Sequence, residues 1–591
     1  MTLRNVFFLL VLSFGCVKVV HAQTPETPTR FTWWNPATAK AMVLEGQAWP
    51  NEVKSFYDRL PARAEGKVRP PVWTLGRQAA GLMLRFRANA GEIKVRYVVE
   101  GRQALPHMPA TGVSGLDLYA ITSDGDWRWS TGKYAFGDTI EYHFRNLEPN
   151  DNYHKLGREY RLYLPLYNSV KWMEVGVPEG STFSPLTVRP DKPIVVYGTS
   201  IAQGACASRP GMAWPTILSR KLDHPLINLG FSGNGRLETE VLRMINEIDA
   251  KVFVLDCLPN LVNPEDYPLD TVEVRILNAV KMIRQKYPTT PIVLAEHAGY
   301  TDEAISPVSK KRYAVVNDVI RKAFAQLQAE GIKYLTLIPK TEFDQDIDTM
   351  VDGVHPNDLG MMRYAQGYEK WLRKVLSEPK GTLSTTLPII QMREPGNYDW
   401  EARHREVLRM NRENPPAVVL IGNSITHYWG GLPKGPIARG ADSWKKTFEA
   451  RNTRNMGYGW DRIENVLWRI YHGELDGYQA KEIYVMIGTN NFHLNSNEEI
   501  VTGWKMLIEA IKLRQPEATL TMVGVYPRRQ QEQRVKELNL ELAKLTREMN
   551  VQYLDAGKVL LKADGTIDES LFTDGLHPNT AGYTKLAEHY K

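Results

Sequence analysis

Cysteine is nearly absent: three residues in 591, one of them, Cys16, in a leader-like N-terminus. A disulfide-stapled scaffold and a multi-cysteine metal cluster are thereby excluded, and hydrophobic cores must hold the chain. Charge of one sign is also scarce. Against 73 Lys and Arg stand 67 Asp and Glu, for a net +6, with no long basic run. Neither nucleic acid nor an anionic membrane is suggested as a partner. Beyond the N-terminus no apolar run approaches the roughly 20 residues of a membrane span. His, Cys and carboxylates do not gather at ligand spacing around any candidate site, so no metal is expected, and no cofactor is implied. What remains is ordinary globular composition, 43% apolar and 24% charged, in a chain too long for one core.

Arg4, the apolar stretch Val6–Val11 and Val20-His21-Ala22 before Gln23 have the layout of a secretory signal, so residues 1–22 are expected to be removed and the product exported, periplasmic or secreted. Cys16 raises lipid attachment as an alternative, which Ser13-Phe14-Gly15 fits poorly. Cys206 and Cys257 then remain. In an oxidising compartment they are read as a disulfide, the alternative being two buried free thiols.

Residues 23–185 have a β-rich texture. Leu82, Leu84 and Phe86 alternate with charged residues, and so do Ile93, Val95 and Tyr97 after Asn89-Ala90-Gly91, which reads as a hairpin with one wet face. Further short runs (115–121, 139–144, 161–166, 172–177) suggest a β-sandwich. Seven of the 15 tryptophans fall here. Such aromatics can stack on sugar rings, although core packing is their commoner use.

From Pro193 the rhythm becomes strand, turn, helix. Strands are expected at 194–197, 226–229, 251–255, 291–295 and 334–338, with amphipathic helices such as 272–286 and 310–329 between them. After a Pro/Gly/Thr-rich linker near 378–392 the rhythm returns, with strands at 417–421, 482–487, 519–525 and 551–554 and a helix over 530–549. Alternation of this kind implies parallel sheets with helices on both faces. The domains are therefore drawn as 23–185, 186–377 and 393–591.

One pattern is written twice on this frame. Gly198-Thr-Ser200-Ile and Gly422-Asn-Ser424-Ile each follow an apolar run. Asp352-Gly-Val-His355-Pro and Asp574-Gly-Leu-His577-Pro follow, with their histidines 155 and 153 residues after the serines. Between them lie glycine-rich turns, Asn228–Gly233 and Asn455–Trp460, and an asparagine ending a third run, Asn260 and Asn490. In an open parallel sheet, ligands bind beyond the carboxyl ends of the strands, where all four elements fall. A serine hydroxyl is a weak nucleophile until a base takes its proton. His355 and His577 suit that task, with Asp352 and Asp574 fixing the tautomer. Donors for a tetrahedral oxyanion would be the serine N–H, an N–H of the turn at Gly233 or Trp460, and the amide of Asn260 or Asn490. Singly, each element is a common loop or cap. Their repetition in the same order argues for acyl-transfer chemistry.

The ordered set resembles the SGNH (GDSL-type) hydrolases, whose blocks supply Ser, Gly, Asn and His. The resemblance implies two flavodoxin-like α/β hydrolase domains behind a β-sandwich. The first is similar to a subgroup with a preceding Gly-x-Asp-Leu-Tyr domain, here Gly115–Tyr119, and with Gln203–Gly211 after the serine. The second is similar to the platelet-activating-factor acetylhydrolase-like branch through Asn465–Arg469 and Gly488–Asn491. Two departures stand out. Thr199 and Asn423 replace the family's acid before the serine, and Trp460 replaces the oxyanion glycine. The implied activity is a serine esterase removing acetyl, or another small acyl group, from plant polysaccharide such as xylan or pectin. The alternatives are a lipid acetylhydrolase, and one active domain paired with a non-catalytic glycan-binding one. Small residues around both serines and the lack of a long apolar lid argue against long-chain lipids.

Overall fold

A computed structural model describes residues 29–148, 156–393 and 396–590. The expected leader, 1–22, lies outside the described residues.

The N-terminal region is a sandwich of two antiparallel sheets. One runs in the order Phe31–Trp34, Val170–Pro178, Ile93–Val99, Ile140–Phe144, Gly132–Ala135. The other runs Thr182–Pro185, Met83–Asn89, Arg158–Tyr163, Asp117–Ile121, Trp127–Ser130. Leu84 and Phe86 of one sheet meet Ile93, Val95 and Tyr97 of the other in a single core. The expected hairpin is therefore wrong. Met83–Asn89 pairs with Arg158–Tyr163 and Thr182–Pro185, whereas Ile93–Val99 pairs with Val170–Pro178 and Ile140–Phe144. Alternation reports which side of a strand is buried, not which strand lies beside it. The wet face expected of Met83–Asn89 is also covered, because Arg85 and Arg87 pair with Glu401 and Asp399 at the start of helix Trp400–Glu413, whereas Lys94 and Arg96 of Ile93–Val99 stay partly exposed as expected.

The strands of the two following domains are labelled in chain order. In the first, β1 (Ile194–Gly198), β2 (Leu226–Gly230), β3 (Val252–Asp256), β4 (Ile292–Ala295) and β5 (Leu335–Ile338) form a parallel sheet ordered β2-β1-β3-β4-β5. In the second, β6 (Val418–Gly422), β7 (Thr453–Gly457), β8 (Glu482–Met486), β9 (Thr519–Val523) and β10 (Gln552–Leu554) repeat it as β7-β6-β8-β9-β10. Side chains alternate between two cores. Val195 and Tyr197 of β1 enter one with helices Leu269–Lys286 and Pro307–Ala329, and Ile194 and Val196 enter the other with Trp214–Leu222 and Asp358–Val375. β6 divides in the same way. Burial on both faces makes these strands apolar runs and legible in sequence. β7, Thr-Arg-Asn-Met-Gly at the sheet edge, has no such run and escaped the sequence reading.

The three regions are not independent beads. Trp49, Leu60, Val68 and Val72 belong to the core beneath β1, and Ile121 of the sandwich enters the core of the second hydrolase domain. A buried arginine closes one edge strand of each sheet. Arg59 donates to the carbonyls of Asn228 and Gly230 on β2, and Arg403 to those of Asn455 and Gly457 on β7. These bonds satisfy carbonyls that an open edge would leave for another chain.

Where the regions meet, charge is buried in pairs. Arg85 and Arg161 share Glu159, Arg161 and Arg189 share Asp223, and Arg189 also holds Glu45. Burial alone would raise Glu45, but Arg189 overrides it and holds the carboxyl at about 2. Lys251 and His224 do the same for Glu378, and Arg469 and His404 for Glu474, each against burial and each to about 2. An unfolded glutamate titrates near 4.5. Depressed carboxylates contribute stability above the unfolded value and lose it as pH falls through the folded one. The contribution of these three carboxylates is therefore expected to be complete above about pH 5 and to fall steeply between about pH 4.5 and 2, measured by denaturant midpoints of parent and glutamine variants across that range. Glu378→Gln and Glu474→Gln should each flatten the slope.

Candidate active site

Both serines open a short helix at the carboxyl end of the first strand of their sheet. Ser200 begins Ser200–Gln203 and Ser424 begins Ser424–His427. The residue before each is the helix cap. The Thr199 hydroxyl accepts from Ile201 N–H, and the Asn423 amide oxygen from Ile425 N–H. Capping needs an acceptor, not a charge, so Thr and Asn can stand where the family carries an acid.

The distant blocks converge on these serines. Ser200 Oγ lies 2.9 Å from His355 Nε2, and His355 Nδ1 lies 2.7 Å from Asp352 Oδ2. In the second copy the distances are 2.8 Å from Ser424 to His577 and 2.7 Å from His577 to Asp574. The Asp-Gly-x-His loop achieves this by folding back on its own carboxylate. Asp352 Oδ1 accepts from Val354 and His355 N–H, and Asp574 Oδ1 from Leu576 and His577 N–H. The glycine between has φ of 84° in Gly353 and 79° in Gly575, in the left-handed region that glycine alone enters without strain. Against partial burial, the bonds from the imidazole and backbone hold both aspartates below the usual carboxylate range.

Sequence reading missed what anchors this loop. Asn357 and Asn579, two residues after each histidine, cap the following helix through Oδ1 and donate through Nδ2 to the carbonyls of Asp348 and Ser570. The signal was present as the duplicated His-Pro-Asn.

The turns on the other side of the serine also correspond. Gly233 has φ of 68° and Trp460 has φ of 64°, so tryptophan occupies the glycine's left-handed backbone. Its side chain is 37% exposed. The asparagines are held differently. Asn260 Oδ1 accepts from Gly235 N–H, leaving the donor half of its amide. Asn490 donates one Nδ2 hydrogen to the Asp461 carbonyl and keeps the other.

The sandwich reaches both sites. Asp117, the acid of Gly-x-Asp-Leu-Tyr, accepts from Gly211 N–H and Arg209, while the Tyr119 hydroxyl also receives Arg209. Together they grip the loop after Ser200. The Thr111 hydroxyl donates to Ser208 O, and exposed His107 stands 5.9 Å, ring to ring, from His355. At the second site Asp124 accepts from Arg393 and Arg462, and Arg393 in turn donates to the Trp460 carbonyl.

Cys206 and Cys257 are free thiols, not a disulfide. They face opposite ways. Cys257 belongs to the core beneath β1 and donates to Tyr197 O, whereas Cys206 packs with Met108 and Val113 of the sandwich. Cys206 does approach Asp352 and His355, with one ligating atom from each within 4.8 Å. Those two are engaged with each other and with Ser200, which makes the arrangement a hydroxyl–imidazole–carboxylate relay. Burial, with Asp352 close by, pushes the Cys206 thiol up to about 12, so it stays protonated.

Each region of the chain matches a known family. Residues 191–373 and 420–585 each match the GDSL-like lipase/acylhydrolase family, and residues 31–183 match the N-terminus of SGNH-hydrolase-type esterases. Human platelet-activating factor acetylhydrolase IB subunit alpha2 is 30% identical over 201 residues, covering 33% of this chain and 82% of that protein. The alpha1 subunit is 29% identical over 196 residues. The crystal structure of a putative GDSL-like lipase from Bacteroides ovatus aligns with a TM-score of 0.54 at 32% identity, over 59% of this chain and 98% of that one. The chain belongs to the GDSL-like lipase/acylhydrolase family, with two such domains behind a sandwich. It is a carboxylic ester hydrolase of mixed α/β fold, and among the described residues no helix is long and apolar enough to cross a membrane.

Asp124 touches the second turn only through arginines and is half exposed. Asp124→Ala should weaken second-site turnover by a factor of about five, on the order of 1 kcal/mol, and leave the first site unchanged. Separate kinetics on Ser200→Ala and Ser424→Ala backgrounds measure this.

Proposed function

We propose that the protein is an exported serine esterase with two working heads, which removes acetyl or other small acyl groups from plant polysaccharides such as xylan or pectin. The observation that carries the reading is the pair of Ser–His–Asp relays, each closed at hydrogen-bond distance.

In the first head Asp352 accepts the Nδ1 proton of His355 and so presents Nε2 as the base. His355 takes the Ser200 proton as Oγ attacks the acyl carbonyl. The oxyanion is met by N–H groups of Ser200 and Gly233 and by the Asn260 amide. His355 then returns the proton to the leaving sugar oxygen, and water repeats the cycle to release the acid. Ser424, His577, Asp574, Trp460 and Asn490 take these roles in the second head. Trp460 keeps its backbone N–H, and its indole would wall the acyl pocket, favouring a small group such as acetyl. Acetyl also figures in the name of the platelet-activating-factor relatives, which keeps a lipid acetylhydrolase as the second reading. Export rests on the N-terminal pattern, and an accessory sandwich, with small residues around both serines, suits a polymer better than a lipid tail.

Ser200→Ala and Ser424→Ala should each abolish one head, by about 10⁴-fold or more, and the double variant should bring activity to background. Acetate release from acetylated xylan, pectin and an acetylated phospholipid, measured on the two single variants, separates the substrates. Turnover of the phospholipid alone would discard the polysaccharide reading.

A further inference from the structure

The two hydrolase domains touch along a seam at the amino ends of β1 and β2, opposite the strand end that carries Ser200. Three groups meet there: Asp191 ahead of β1, His224 just before β2, and His472 at the kink within Ile470–Glu474. One ligating atom from each lies within 4.8 Å of the others. Both histidines are buried, with rings 4.2 Å apart.

Their hydrogen bonds settle which nitrogens carry protons. His224 Nε2 is 2.8 Å from Glu378 Oε2, so the proton sits there and Nδ1 keeps its lone pair. His472 Nδ1 is 2.7 Å from the Trp468 carbonyl and holds its proton there. Its Nε2 then faces the Asp223 carbonyl at 3.3 Å with no hydrogen to give. His224 Nδ1 and Asp191 Oδ1 are buried without a hydrogen-bond partner among the described residues. Among the described residues His224 Nδ1 and Asp191 Oδ1 thus have no donor, and His472 Nε2 has before it only a carbonyl oxygen, itself an acceptor. Imidazoles whose other N–H is fixed by a carboxylate or carbonyl are the usual setting of a metal ligand. Lys251, the nearby cation, is paired with Glu378 and Tyr471 O, so Asp191 supplies the negative charge.

We propose that Asp191, His224 and His472 bind a divalent cation of the zinc class, which pins the two hydrolase domains together. Two imidazoles and a carboxylate suit zinc, with water in the fourth position. The cleft beside Asp191, Lys192, His472 and Gly473 admits that water. Bonds of about 2.0–2.1 Å set ligand atoms roughly 3.3 Å apart, a spacing reached by small side-chain rotations. The site takes no part in ester hydrolysis and stands apart from that reading.

The test uses the full chain without a histidine tag, dialysed against chelator and titrated with Zn²⁺ and Co²⁺. One equivalent should bind in the parent, with the visible absorption of four-coordinate Co²⁺ and a higher melting temperature. It should also bind in His355→Gln, which dismantles the other grouping near Cys206. Asp191→Asn and His472→Gln should each weaken binding by about tenfold or more and remove the thermal shift. Asp191 lies at the cleft, so its substitution leaves the buried histidines in place and keeps the test interpretable if His472→Gln misfolds. Absence of stoichiometric binding at micromolar metal, or binding that survives Asp191→Asn undiminished, would overturn the proposal and leave a water-bridged cluster.

Discussion

One hydrogen bond, from a serine hydroxyl to an imidazole more than 150 residues away, is the constraint that the rest of each hydrolase domain serves. Without a base at that distance the hydroxyl stays inert. The parallel sheet brings strand ends to one edge, the capped helix aims the serine, and the left-handed glycine folds the Asp-Gly-x-His loop onto its own carboxylate. The asparagine cap then fixes the loop to the next helix. The same devices occur in both copies, down to the buried arginine that closes the corresponding edge strand, β2 or β7. Such agreement between distant parts of a chain argues for one requirement imposed twice.

The sandwich is more than an appended module. Asp117 and Tyr119 hold the loop behind Ser200, and Asp124 reaches the second turn through Arg393. Arg85, Arg161, Arg189 and their carboxylates lie buried where the three regions join. A buried pair of this kind adds little net stability, since desolvation offsets the attraction, but losing one partner costs about 3–5 kcal/mol. The network therefore fixes one arrangement of the regions more than it strengthens the fold.

Nine of the ten hydrolase strands were legible, most of them because burial on both faces makes an apolar run, and the edge strands β5 and β10 because they follow long amphipathic helices in the same rhythm. β7 was not, because an edge strand with Arg454 and Asn455 has no such run. The four blocks were legible because they recur in order. The hairpin at 89–91 was misread because alternation carries no information about partners, and Arg85 and Arg87 look solvated until a helix 300 residues away supplies carboxylates. The disulfide between Cys206 and Cys257 was misread because nearness to one site in sequence does not say which side of the sheet a thiol faces. Domain borders were blurred for a related reason, as residues 49–72 pack beneath β1.

The central claim is that both relays are competent nucleophilic sites in one chain. Labelling the intact protein with a fluorophosphonate, followed by mass spectrometry, tests it most directly. Two adducts per chain, one on the peptide with Ser200 and one on that with Ser424, are predicted. A single adduct that never reaches Ser424, whatever the time or reagent, would contradict the two-headed account.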